Sequence, residues 1–179
     1  MGISLCDFGI RNSELKKGLH LNNHMDEIIN KSEIENSKSD ISIEQIRPEL
    51  TWQLRRDVLY PTQRLPEMEM EEDADGIHFG AFKDNWIVGV VSIFQKGDDF
   101  QFRKLAVKHD LQGIGIGGSL LEYVTQYVIH ERGARIWCNA RTSAIGFYLK
   151  AGFTQTGELF SRNGVDYEIL EKVIALPGN

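Results

Sequence analysis

Four of the six residues from 113 to 118 are glycine, and they join a strand-like run at 100–107 to the clearest amphipathic helix in the chain. Glycines this close together remove the Cβ atoms that would hold a ligand away from the backbone. In the helix, Ile116, Leu120, Leu121, Val124 and Val128 recur at helical spacing, and Gly133 is well placed to close it. Its first N–H groups have no partner within the helix, and its positive dipole end faces the turn. Such a junction binds an anion, and the expected guest is a phosphate or diphosphate.

Three phosphate-binding patterns compete for this stretch. Gly113, Gly115 and Gly118 spell the dinucleotide fingerprint G-x-G-x-x-G. That reading needs an acidic residue about 20 positions on, after the next strand. Cys138, Asn139 and Arg141 stand there instead, and too little chain follows for more βαβ units. Gly113 and Gly118 also have P-loop spacing, but Ser119 and Leu120 occupy the places of the essential Lys and Ser/Thr. The third pattern is Gln112-x-x-Gly115-x-Gly117.

The surrounding chain divides near residue 40. Residues 30–40 are polar and read as a linker, giving an amino-terminal extension over 1–40 and one domain over 41–179. Within the extension, Leu15, Leu19, Met25, Ile28 and Ile29 line one side of a short helix weakened by Gly18. The sequence leaves open whether it packs on the domain, pairs with another copy as in a homodimer, or stays mobile. His20 and His24 stand one helical turn apart, but no further ligand lies nearby, so no metal site is expected. From residue 41 the order reads as a strand at Ile41, Ile43 and Ile46, then a helix after Pro48 that Pro61 stops near Tyr60. An acidic loop or short helix covers 67–75, and a three-stranded meander occupies 77–82, 86–94 and 100–107. The glycine turn and helix follow, then a buried strand at 136–138. A second helix, capped by Thr142 or Ser143 and closed by Gly152, precedes two strands around Asn163-Gly164.

Composition narrows the function classes. With 179 residues, the chain has room for one domain with a real core. Its net charge of -6 argues against nucleic-acid binding, which relies on clustered Lys and Arg, and mildly favours encounter with amines. The two cysteines, Cys6 and Cys138, form no metal-ligand pair and suit a reducing compartment. Met1-Gly2 starts like a myristoylation site, but Cys6 replaces its Ser or Thr. No signal peptide and no membrane span is expected, so the protein is expected to be cytoplasmic.

The third pattern resembles the acyl-CoA-binding signature of the GNAT superfamily of N-acetyltransferases, Arg/Gln-x-x-Gly-x-Gly/Ala. Leu105-Ala106-Val107 is similar to the strand before that signature, and residues 144–153, with Phe147-Tyr148 and Gly152-Phe153, resemble the family's second fingerprint. The resemblance spans about 41–174 and implies an α/β fold, with a mixed, mostly antiparallel central sheet of about seven strands flanked by helices. It implies acetyl-CoA as co-substrate, a primary amine of a small molecule or peptide as acceptor, and direct attack in a ternary complex. By resemblance, Leu105, Ala106 and Val107 hold the pantetheine arm and polarise the thioester carbonyl. Gln112, Gly113, Ile114, Gly115, Ile116, Gly117, Gly118 and Ser119 enclose the pyrophosphate, and Phe147 lies beside them in the cofactor site.

Tyr148 matches the tyrosine that often protonates the departing thiolate. A phenol of pKa ~10 suits that task, since it lies just above a thiol at ~8.5. Its other reading is a core aromatic beside Phe147. Arg141 stands where many relatives carry Asn, and either contacts a CoA phosphate or faces solvent. No general base stands out among Glu67, Glu69, His78, Asp98 and Asp99. Trp52, Arg55, Arg56 and Tyr60 are candidates to line the acceptor side, and the two arginines point to a carboxylate or phosphate on the acceptor. The competing class is a non-catalytic acyl-CoA-binding module.

Overall fold

The computed structural model describes residues 40–174; the expected amino-terminal helix, its histidine pair and Cys6 lie outside them. Strand β1 (Ser42–Ile46) leads into α1 (Glu49–Leu54), whose end widens into a π turn (Arg55–Leu59). Two short 3-10 turns follow at Leu65–Met68 and Glu71–Asp75. The meander is β2 (Ile77–Lys83), β3 (Trp86–Lys96) and β4 (Asp99–Val107). Then come α2 (Ile116–His130), β5 (Arg135–Arg141), α3 (Ile145–Lys150) and the hairpin β6 (Thr154–Arg162) and β7 (Val165–Val173). The seven strands form one sheet in the order β1-β2-β3-β4-β5-β7-β6. Only β4 and β5 run parallel.

Local chemistry sets the hairpins. Asp84 and Asn85 (φ 51° and 65°) turn β2 into β3, and Asn163 and Gly164 (φ 52° and 74°) turn β6 into β7. Two consecutive left-handed residues match the right-handed twist of paired strands, and Asn, Asp and Gly tolerate that conformation best.

Alternation along β3 sends Val91 into the larger core under α2, with Phe79, Phe100, Leu120, Val124, Ile136 and Leu170. Val90 goes to the other face, with Leu54 of α1 and Ala106. Gly89 lets α2 approach: a Cβ there would lie 2.9 Å from Leu120 Cδ1. The end of α2 is closed differently from a glycine cap. Arg132 takes the left-handed position (φ 58°), the Gly133 amide donates to Val128 O at 2.9 Å, and the Arg132 amide donates to Ile129 O. Gly133 is needed for space, since a Cβ would fall 2.6 Å from Val128 Cγ1 and 2.7 Å from Phe100 Cδ2. Gly133→Ala is therefore expected to destabilise the fold by about 1–3 kcal/mol through overpacking, measurable by urea titration. Neither Thr142 nor Ser143 caps α3. They lie in a 3-10 turn that runs directly into the helix without a side-chain cap.

Candidate active site

The parallel pair does not stay together. β4 and β5 are registered only at Asp99↔Arg135, Phe100↔Ile136 and Gln101↔Trp137, after which they diverge. β5 remains paired to β7 along its whole length, and β4 remains paired to β3 as far as Val107. Residues 102–107 of β4 thus present an open strand edge to the gap, including the predicted Leu105, Ala106 and Val107. A bulge sharpens the divergence. Between Val90↔Ala106 and Ser92↔Arg103 the register shifts, and Lys104 takes φ 57°. An extra residue on one strand bends it and re-aims its side chains.

At the end of β4 the alternation of glycine and isoleucine has a plain meaning. Ile116 is buried and Ile114 packs against the same core, so the isoleucines anchor the turn. Gly113 (φ 83°) and Gly115 (φ 100°) take backbone angles that side chains disfavour, and Gly115 is the N-cap of α2. The N–H groups of residues 113–118 meet no acceptor among the described residues; the first bond of the helix is Ser119 N–H to Gly115 O at 3.0 Å. A Cβ at Gly113 or Gly118 would touch nothing within 4 Å. The Gln112 side chain pins the turn to the strand by donating to Val107 O at 2.9 Å. Phe147 closes over Gly117, where a Cβ would lie 3.2 Å from its Cζ. Open space beside unpaired amides at a helix N-terminus fits a diphosphate.

Tyr148 is held by the end of α3. The Phe153 amide donates to Tyr148 O at 3.1 Å, the Gly152 amide donates to Leu149 O, and Gly152 has φ 82°. That cap explains the Tyr-x-x-x-Gly-Phe spacing. The ring packs against Phe102, Phe147 and Phe153, with centroids 5.7, 5.0 and 6.2 Å away. Its hydroxyl has no hydrogen-bond partner among the described residues. Burial pushes its pKa well above the ordinary tyrosine value, Cys138 adds to that, and the Arg141 charge opposes it. The Cys138 thiol, pushed up to about 12 by burial, is a core group.

A cavity of about 600 Å³ is lined from the π turn and 3-10 turns, from β4 and β5, and from the β6–β7 hairpin. Its walls include Tyr60, Phe102, Arg103, Lys104, Asn139, Arg141, Phe160, Arg162 and Tyr167. Phe160 and Tyr167 stack at 5.3 Å and 12°. The sequence reading missed Arg103, Lys104, Phe160, Arg162 and Tyr167, because only the bulge and the hairpin bring them to one wall.

Several candidates are committed elsewhere. Arg55 lines the cavity but is fully buried, paired with Asp73 through bonds of 2.7 and 2.9 Å and donating to Met68 O and Ser92 Oγ. Arg56 pairs with Asp57, and Trp52 Nε1 donates to Asp73. Arg55 therefore holds the fold, whereas Arg56 makes a surface pair with its sequence neighbour and does not line the cavity. His78 is buried, not a surface group, with Nε2 facing Asp73 O and Nδ1 facing Ser92 Oγ. Burial holds its pKa below 6.5. Asp99 bridges to Arg135 at the start of β4. Glu67 lines the cavity but is bound by Arg64, whose hydrogen bond holds its carboxyl below the usual range.

A mixed sheet opened between its one parallel pair, with unpaired amides at the mouth of the opening, defines an acyl-CoA-dependent acyltransferase. The acetyltransferase (GNAT) domain model matches residues 40–173, and the chain belongs to the GNAT acetyltransferase family. It is 24% identical over 139 residues to the uncharacterized N-acetyltransferase YitI of Bacillus subtilis (strain 168), covering 73% of this chain and 93% of that protein. The IAA acetyltransferase from Bacillus cereus ATCC 14579 superposes with a TM-score of 0.61 at 21% identity, over 75% of this chain and 99% of that one. A GNAT family acetyltransferase from Elizabethkingia anophelis with acetyl-CoA bound gives 0.60 at 21% identity over the same shares. At such identities these two likenesses show a shared fold. Among the described residues no helix is long and apolar enough to cross a membrane, and no group of three or more side chains is arranged for a metal.

Proposed function

We propose that this chain is an N-acetyltransferase that moves an acetyl group from acetyl-CoA to a primary amine of a small molecule or peptide by direct attack in a ternary complex. The observation that carries this reading is the junction of the open β4 edge with the unpaired amides of residues 113–118. The amides and the α2 dipole hold the diphosphate. The open edge at Leu105, Ala106 and Val107 offers main-chain groups to the pantetheine arm and to the carbonyl oxygen, where one donor contributes a few kcal/mol in other enzymes. Acetyl-CoA supplies the activated acetyl group. Phe147, lying over Gly117, borders the same site.

In this reading the Tyr148 hydroxyl is the acid. It is protonated across the working range and its hydroxyl has no competing partner among the described residues, although burial, which raises its pKa, makes it a weaker donor than a free phenol. Tyr148→Phe keeps the ring packing and removes only the hydroxyl. A fall in kcat of about 100-fold is expected, with the Kd for acetyl-CoA within about twofold of the parent, read by thiol release and by calorimetry. Undiminished turnover removes the tyrosine from the mechanism. Among the described residues that line the cavity, Glu67 is the one carboxylate, and it is bound by Arg64. The amine's proton therefore leaves through water, helped by cationic walls that disfavour an ammonium.

A further inference from the structure

The charge of the cavity runs against the charge of the chain. The protein carries a net charge of -6, yet the cavity walls contribute Arg55, Arg103, Lys104, Arg141 and Arg162 against Glu67 alone. Pairing sharpens the contrast. Arg55 is neutralised by Asp73 and Glu67 by Arg64, while Arg103 reaches only the exposed Glu72 at 3.3 Å. Lys104, Arg141 and Arg162 have no carboxylate partner among the described residues. Three uncompensated cations therefore face one space, from β4, β5 and β6, which are well separated in sequence.

The bulge in β4 contributes to this. Phe102, Arg103 and Lys104 are consecutive and all line the cavity, whereas a regular strand sends neighbours to opposite faces. The bulge breaks that alternation, and Lys104 occupies a left-handed φ of 57° that a lysine seldom adopts. Its ammonium lies 2.6 Å from the Tyr60 hydroxyl and 4.3 Å above that ring's centre. The tyrosine fixes the cation without cancelling its charge. A local strain kept at a cleft wall is a mark of function rather than of packing.

We propose that the acceptor is an amine that also carries an anionic group, a carboxylate or a phosphate, gripped by Lys104, Arg141 and Arg162. The two anions share one recognition chemistry, because guanidinium and ammonium donors bind both through charge-assisted hydrogen bonds. The volume suits a small molecule or the end of a chain, and the stacked Phe160 and Tyr167 supply an apolar wall for its body. Polyamines, which carry only positive charge, are disfavoured by the same field. This proposal rests on the acetyl-transfer reading above.

The test uses the full chain and matched pairs of acceptors. Acetyl-CoA binding is first measured by calorimetry. Thiol release is then followed with phenylalanine against phenylalaninamide, with phosphoethanolamine against ethanolamine, and with spermidine. The anionic member of at least one pair should be used at least tenfold better in kcat/KM, and the pair that responds distinguishes carboxylate from phosphate. Arg162→Glu should raise the KM for that acceptor tenfold or more, while the Kd for acetyl-CoA and the melting temperature stay near those of the parent. Equal or better use of the members that lack the anionic group, or of spermidine, overturns the proposal, as does absence of turnover with both anionic members. Failure to bind acetyl-CoA is a separate result and removes the acetyl-transfer reading first.

Discussion

Gly115→Val is expected to raise the Kd for acetyl-CoA by about 100-fold or more, equivalent to losing roughly 3 kcal/mol of binding. Two effects act together. Gly115 has φ 100° and ψ -6°, a conformation in which a β-branched side chain is strained, so the turn shifts. Any shift misdirects the unpaired amides of residues 113–118. A partner variant separates ligand approach from strain. Gly118 lies in the first turn of α2 with no atom near a would-be Cβ, so Gly118→Ala fits without a clash. It should stabilise the helix by about 0.5–1 kcal/mol. A weaker affinity in a more stable protein can come only from the methyl group standing where the ligand lies. Calorimetry with CoA and with acetyl-CoA decides the matter: unchanged affinity in both variants would leave the glycine turn without its assigned guest.

Much of the frame was legible because local chemistry fixed it. The Asn163-Gly164 hairpin, the meander and the α2 stripe at Ile116, Leu120, Leu121, Val124 and Val128 each follow from a short pattern, and each stands in the structure. Seven strands in a mixed, mostly antiparallel sheet were expected and are found. The cavity was harder to read because its chemistry is non-local. Arg55 and Arg103 are both arginines flanked by further charge or polarity, and only tertiary pairing shows that one is buried against Asp73 while the other faces the cavity. Lys104 is a still plainer case. In a regular strand its side chain would alternate away from Arg103, and no turn residue signals the bulge that brings both to one wall. The burial of His78 was not legible, because a lone histidine in a strand gives no sign of its neighbours. Ser92 and Asp73, which satisfy both ring nitrogens, stand 14 and 5 residues away.

That buried group sets the last expectation: Asp73→Asn should destabilise the fold by about 3–5 kcal/mol, a fall in Tm on the order of 10 °C. Asp73 receives both terminal nitrogens of Arg55, the Trp52 indole and the Met70 amide, and so ties α1 to the segment before β2. Through Arg55 it also reaches Ser92 of β3. Asparagine leaves a buried guanidinium without its counter-charge and turns an NH₂ toward it. Burial alone would push the Asp73 carboxyl up, but the Arg55 and Met70 hydrogen bonds and the Arg55 charge outweigh it and hold the pKa below 3.8. A depressed carboxylate gives stability that is complete above its unfolded value and is lost as pH falls through the folded one, so this part disappears below 3.8. His78 acts earlier in the same direction. Its neutral ring satisfies both partners, burial holds it below 6.5, and an unfolded chain gains the proton first, so stability falls as pH drops from 6.5 toward the folded value. The parent's Tm should therefore decline with acid in two stages, and Asp73→Asn should keep the stage below 6.5 and shrink the one below 3.8, to which Asp57, Glu67 and Glu72, also held low by hydrogen bonds, still contribute. Because Arg55, Met68 and Met70 line the cavity, the variant should also raise the acceptor KM more than the Kd for acetyl-CoA. A Tm within 2 °C of the parent at pH 7 would show that the pair contributes little and that Arg55 finds its compensation elsewhere.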